Sequence, residues 1–237
     1  NLNKKKKIFI IPIIICCFTF LVNCASQKTK FNPNLKKELS QILYTDQIYR
    51  EFIDSETTEK RKEEIAKANN LSKEELTINA WTLINKTDAE NIVKVENIIS
   101  KYGYPGKTIV GEPENTAVFY VIQHNPNKIP FYLPLIEKSA KDGELPFKYY
   151  AMMLDRKLTS EGKPQIYGTQ AAFQMITNKT TGNKEQFFYV LPIEDAKNVN
   201  KRRKEAGFEL TVEENAKRLG VEKYIEYTYE ELNKILK

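Results

Sequence analysis

The chain has 237 residues, 41% hydrophobic and 29% charged, with a formal net charge of +6 and one histidine. Four of its lysines fall in residues 1 to 23, which hold no acid, so the remainder carries +2 and the basic balance gives no ground for a nucleic-acid partner. A single histidine excludes a zinc or iron site built on several imidazoles, although not a carboxylate-held Mg²⁺ or Ca²⁺.

Residues 1 to 23 run from Lys4–Lys7 through the apolar stretch IFIIPIIICCFTFLV to Asn23. This is the order of a secretory signal, and its apolar part is short for a membrane span. Cys24, directly after Leu21-Val22-Asn23, resembles the lipidated cysteine of a bacterial lipobox, with Asn23 in the place of the usual small residue. The expectation is a lipid anchor at Cys24, which would hold the protein to a membrane of the cell envelope. Cys16 and Cys17 lie inside the signal, so no cysteine remains for a disulfide or a thiolate metal site. Residues 24 to 33 read as a polar tether and 34 to 237 as the folded domain.

From Asn34 to Asp54 apolar residues recur at helical spacing, and 55 to 70 read as a solvated helix. Ser72 with Glu75 forms a capping-box start for a helix carrying Leu76, Ile78, Trp81, Leu83 and Ile84. Thr87 or Asp88 is expected to cap a further helix, which Gly103 stops. Glu112-Pro113-Glu114 opens a helix whose body, TAVFYVIQ, is apolar nearly all round and so belongs in the centre of the fold, with His124 at its end. Helices follow at 130–141 and 146–159. After Tyr167-Gly168 the period changes to two, which predicts a hairpin from AAFQMITNKT and KEQFFYVLPI. Helices return from Asp195, with a basic face Lys201-Arg202-Arg203-Lys204, and at 212–219 and 229–236. The fold class is mainly α, a single helical domain with one small β-hairpin after residue 170.

No phosphate loop, nucleophile elbow or His-Glu-x-x-His helix occurs, and no cofactor or metal motif is present. The chain spells nearly all of its cations as lysine: only Arg50, Arg61, Arg156, Arg202, Arg203 and Arg218 are arginine. An arginine kept against that bias marks a place needing a planar, bidentate donor. Asp46 and Arg50, four apart, form either an ordinary helix ion pair or part of a site. His124 is either a cap of its own helix end or a general acid or base. Gln165, Tyr167 and Gln170 crowd one turn around Gly168, where they satisfy one another or line a site for a polar ligand.

These residues carry a resemblance. Asp46-Gln47 with Arg50, Asn91, Gly103-Tyr104-Pro105-Gly106 with Val110-Gly111, Gln123-His124, Asp155-Arg156, Gly162-x-Pro164-Gln165-x-Tyr167-Gly168-Thr169-Gln170, and Asp195 with Arg202-Arg203 and Gly207 resemble an uncharacterised bacterial family, the domain of unknown function numbered 6624. The likeness spans roughly residues 44 to 210, and Tyr104 stands where that family is expected to have tryptophan. It implies that His124, Asp155, Arg156, Gln165, Tyr167 and Gln170 form one constellation on a mainly helical fold. Three readings follow. In the first, a lipid-anchored protein binds a small anionic molecule or peptide through Arg156, Arg50 or Arg202, with Asp46, Gln123, Gln165, Tyr167 and Gln170 around it. In the second, His124 and Asp155 serve a hydrolase or transferase, with Arg156 stabilising negative charge. In the third, the protein is a surface interaction module.

Overall fold

The computed structural model describes residues 30–178 and 180–236. The signal-like segment, Cys24 and residues 25 to 29 of the tether lie outside the described residues. Among the described residues the chain forms ten α-helices and one two-stranded antiparallel sheet, and no helix is long and apolar enough to cross a membrane. It is mainly α, as the periodicity indicates.

Helix α1, Pro33–Ile53, starts one residue before the expected boundary. Asn32 caps it by accepting a hydrogen bond from the Leu35 N–H, and Pro33 occupies the first turn, where its missing donor costs nothing. The short α2, Glu59–Ala68, buries only Ile65 and Ala66. Helix α3, Lys73–Tyr102, begins at Ser72 with the full capping box, Ser72 and Glu75 each satisfying the other's backbone N–H. It then runs unbroken for 30 residues, so the second cap expected at Thr87 or Asp88 is corrected. The Thr87 hydroxyl donates back to the carbonyls of Leu83 and Ile84, and the apolar stripe Leu76, Ile84, Ile92, Val95 and Ile98 crosses this point with no Gly or Pro to interrupt it. Ile78 and Trp81, placed on the apolar side by sequence, face solvent at 80% and 66% exposure. Gly103 ends the helix at φ +70, and Tyr104, buried, anchors the next turn by donating to the Asn115 carbonyl.

After the short α4, Lys107–Val110, a single 3₁₀ turn leads into α5, Ala117–Gln123. Val118, Phe119, Val121 and Ile122 are fully buried, and α1, α3, α6 (Ile129–Lys141) and α7 (Phe147–Ser160) pack about them. Burying these four side chains stabilises the fold by about 6–10 kcal/mol relative to an extended chain, an upper figure. A second apolar cluster joins α1, α2 and the start of α3 around Phe52, Ile65 and Leu76.

The C-terminal part is built on the hairpin β1, Ala171–Thr177, and β2, Lys184–Val190, in register from Ala171 opposite Val190 to Thr177 opposite Lys184. Helices α8, Val199–Glu205, and α9, Val212–Arg218, follow, and Val190, Ala216 and Val221 form a small core. The short α10, Tyr229–Ile235, closes the chain. The basic face expected on α8 is half right: Lys201 and Lys204 are exposed, whereas Arg203 is 2% exposed and turned into the protein.

Gly168 joins the loop after α7 to this C-terminal part. Its φ is +65, and a Cβ there would lie 2.6 Å from Val212 Cγ2 and 2.8 Å from Ile193 Cδ1. Gly168→Ala is therefore expected to destabilise the protein by about 2–4 kcal/mol, from the left-handed conformation and the overpacking together. Thermal unfolding would show a melting temperature lower by about 5–12 °C.

Candidate functional site

The helices bring the sequence-selected polar residues together at two places, not one. The first lies between α1 and α3 at the end of α5. Asp46 is 1% exposed, so its carboxylate must be met by donors. Gln47 Nε2 donates to Oδ2 at 2.5 Å, and His124 Nδ1 lies 3.2 Å from Oδ1. Arg50 crosses from α1 to α3, with Nη2 donating to Asp88 Oδ2 at 2.7 Å and Nη1 to the Asp46 carbonyl at 2.8 Å. The expected alternatives for Arg50 therefore give way to another: its ion-pair partner is Asp88, 38 residues on. Asn91, buried one turn after Asp88, exchanges hydrogen bonds with Thr45.

Asp88 is the residue that sequence reasoning missed, because a Thr-Asp pair in a polar stretch looks like a helix cap. Its spacing to Asn91 carried the signal: the pair shares one face of α3, as Asp46 and Arg50 share one face of α1. Asp88 Oδ1 is buried and has no hydrogen-bond partner among the described residues. Asp46, Asp88 and His124 each offer one ligand atom within 4.8 Å of the others, a grouping that a count of histidines does not foresee. It matches the oxygen and imidazole ligands of a divalent cation, but Arg50 already supplies a positive charge to Asp88.

Chemically, the arrangement is an oriented imidazole. A ring proton on Nδ1 would point at Asp46 and leave Nε2 a free lone pair, and the side chain is 18% exposed. No serine, threonine or cysteine hydroxyl or thiol bonds to His124 among the described residues. A base at Nε2 would thus act on water or on a substrate hydroxyl, not on a nucleophile of the protein.

The second place is the loop after α7. Asp155 is fully buried, and its two oxygens accept the backbone N–H groups of Ile166, Tyr167 and Thr169 and the Thr169 hydroxyl at 2.8–3.2 Å. Burial pushes its carboxyl above the usual range, while those four donors pull it back. Gln165, also fully buried, accepts the Gln170 N–H and donates to the carbonyls of Gln170 and Leu191. Arg202 spends its donors on the carbonyls of Ile166, Glu194 and Asp195 and on the Asp195 carboxylate.

The expected pairing of His124 with Asp155 is therefore corrected: the carboxylate against the ring is Asp46, and Asp155 is occupied by the loop that it folds. Asp155, Gln165 and Arg202 are loop organisers here, and the Gln170 amide donates to the Thr169 hydroxyl. Tyr167 packs half-buried against Phe208, its phenol raised first by burial and then by Asp155. Gln123 is buried at the end of α5. Arg156 forms no hydrogen bond through its guanidinium among the described residues, and burial lowers its pKa.

A mainly helical domain with an Asp–Arg–Asp–His centre and a separate loop network is the class that these features define. A family model described as a family of unknown function, DUF6624, matches residues 33–225, and the chain belongs to that family. The match extends beyond residues 44 to 210 on both sides. No curated protein and no solved structure matches the chain.

The two networks differ in what they support. Asp155→Asn presents an NH₂ where a backbone N–H must be accepted, and is expected to cost about 3 kcal/mol. His124→Ala is expected to cost about 1 kcal/mol, because water can enter where the partly exposed ring stood. Urea unfolding of both variants would read this contrast. Arg50→Met, which leaves Asp88 unpaired, is expected to fall between them, at about 2 kcal/mol.

Proposed function

We propose that this chain is an exported protein, lipid-anchored at Cys24 in the bacterial cell envelope, whose helical domain carries out acid–base chemistry on a polar small molecule or peptide at His124. The lysine-led apolar segment ahead of Cys24 supports the anchor. The observation that carries the chemistry is the pair of a fully buried Asp46 and a partly exposed His124, joined at Nδ1.

In the reaction, Asp46 holds the ring in one tautomer and stabilises the imidazolium formed when Nε2 takes a proton from water or a substrate hydroxyl. Gln47 fixes the Asp46 carboxylate, and Arg50, held by Asp88, sets the spacing of α1 and α3 beneath it. The class is hydrolytic or group transfer, with water or a second substrate as acceptor.

A second reading, binding without turnover, draws on the absence of a protein nucleophile at Nε2 among the described residues. Two measurements separate them. Long-range ¹H–¹⁵N spectra of the single histidine at neutral pH are expected to place the proton on Nδ1, and Asp46→Ala to release it toward Nε2. Hydrolysis of chromogenic carboxylic and phosphoric esters is expected to fall at least about 100-fold in His124→Ala. Turnover unchanged in that variant, or a wild-type ring protonated on Nε2, would sink the catalytic reading.

A further inference from the structure

Among the described residues, Arg203 is the one lysine or arginine that is buried. Its Nε donates to the Leu210 carbonyl and its Nη1 to the Tyr167 carbonyl, both at 2.8 Å, while the guanidinium lies 4.6 Å from the Phe208 ring centre. Nη2 makes no hydrogen bond among the described residues. Asp155, Glu213 and Glu214 act on this cation from a distance, but each carboxylate is bonded elsewhere: to the loop N–H groups, to Asn200 and to Thr211. The cation is thus buried to 2% exposure with no carboxylate in salt-bridge contact among the described residues, and an anion would supply the missing counter-charge.

Arg203 lines a cavity of about 330 Å³ that also takes in Arg218 and Lys148. Arg218 is fixed by donating to Asn215 at 2.9 Å, and Asn215 in turn donates to the Gly168 carbonyl. The one acid in the lining, Glu209, is exposed and pairs with neither arginine. Two aromatic rings share the lining, Phe208 against the Arg203 guanidinium and Tyr149 with the Lys148 ammonium 5.9 Å from its ring centre. Burial, with Tyr120 and Glu112 alongside, pushes the Tyr149 phenol up to about 12, so it stays a neutral donor. Three cations and an aromatic wall around one small cavity are complementary to an acidic group on a flat body.

We propose that this cavity binds a small organic anion, a carboxylate or phosphate monoester carried on an aromatic or flat apolar frame, with Arg203 and Arg218 as the anion contacts. The site is distinct from the His124 centre and does not rest on its chemistry.

The test uses phenyl phosphate, benzoate, inorganic phosphate and phenol as probes of the purified protein, with amide chemical shifts and calorimetry as readouts. Phenyl phosphate or benzoate is expected to bind at least about tenfold tighter than inorganic phosphate or phenol, moving the amides of Thr169, Phe208 and Leu210. Because Arg203 also holds two carbonyls and its replacement can unfold the loop, Arg218→Met and Lys148→Met are the variants. Each is expected to weaken phenyl phosphate by about tenfold without changing the spectrum elsewhere. His124→Ala is expected to leave binding within twofold. No binding of either organic anion at about 10 mM, shifts confined to surface lysines, or equal loss in His124→Ala would overturn the proposal.

Discussion

A seven-residue helix without a polar face dictates the plan of this protein. Helix α5 cannot touch water on any side of Val118, Phe119, Val121 or Ile122, so four other helices must enclose it. Its ends, by contrast, must meet polar partners, because the last carbonyls of a helix have no internal donors. His124 stands at that junction, where the apolar enclosure stops and the seam between α1 and α3 opens. The position of the ring follows from a packing requirement: the more completely α5 is buried, the more narrowly the place of the ring is set.

The seam itself obeys the rule that a buried charge needs donors of its own. Asp46 could not be buried on α1 without Gln47 and His124, and Arg50 could not lean across to α3 without Asp88. The loop after α7 meets the same demand in another way, by turning backbone N–H groups toward Asp155. One carboxylate is paired with a side chain that can exchange a proton with solvent. The other is sealed among amides that cannot. That difference, and not burial or charge, separates the candidate centre from the structural one.

Much of this was legible in the sequence. The capping box at Ser72, the glycine stop at Gly103, the buried α5 and the hairpin after Gly168 follow from local rules of capping, period and turn chemistry, and the structure keeps them. What stayed hidden needed distances between helices. Thr87-Asp88 satisfies the local description of a cap, and only the position of Arg50 reveals its other use. Asp155 was grouped with His124 by the family resemblance, but five acceptor bonds to residues 11 to 14 places on leave it no capacity. Arg203 was hidden in a run of four basic residues, where composition signals a solvated face and gives no hint that one member points inward.

The spans of these contacts also set an order. Asp155 closes loops of 11 to 14 residues, Arg203 reaches back 36 to Tyr167, and Asp46 meets His124 across 78. Loop closure grows costlier with separation, so the Asp155 nest can assemble while most of the chain is still searching, whereas the pair at His124 must wait for three helices to dock. The same ordering applies in reverse under mild stress: a partial opening of α1 dissolves the centre while the loop network survives. Chemistry at His124 would therefore report the integrity of the whole helical body, going silent before the rest of the protein has unfolded.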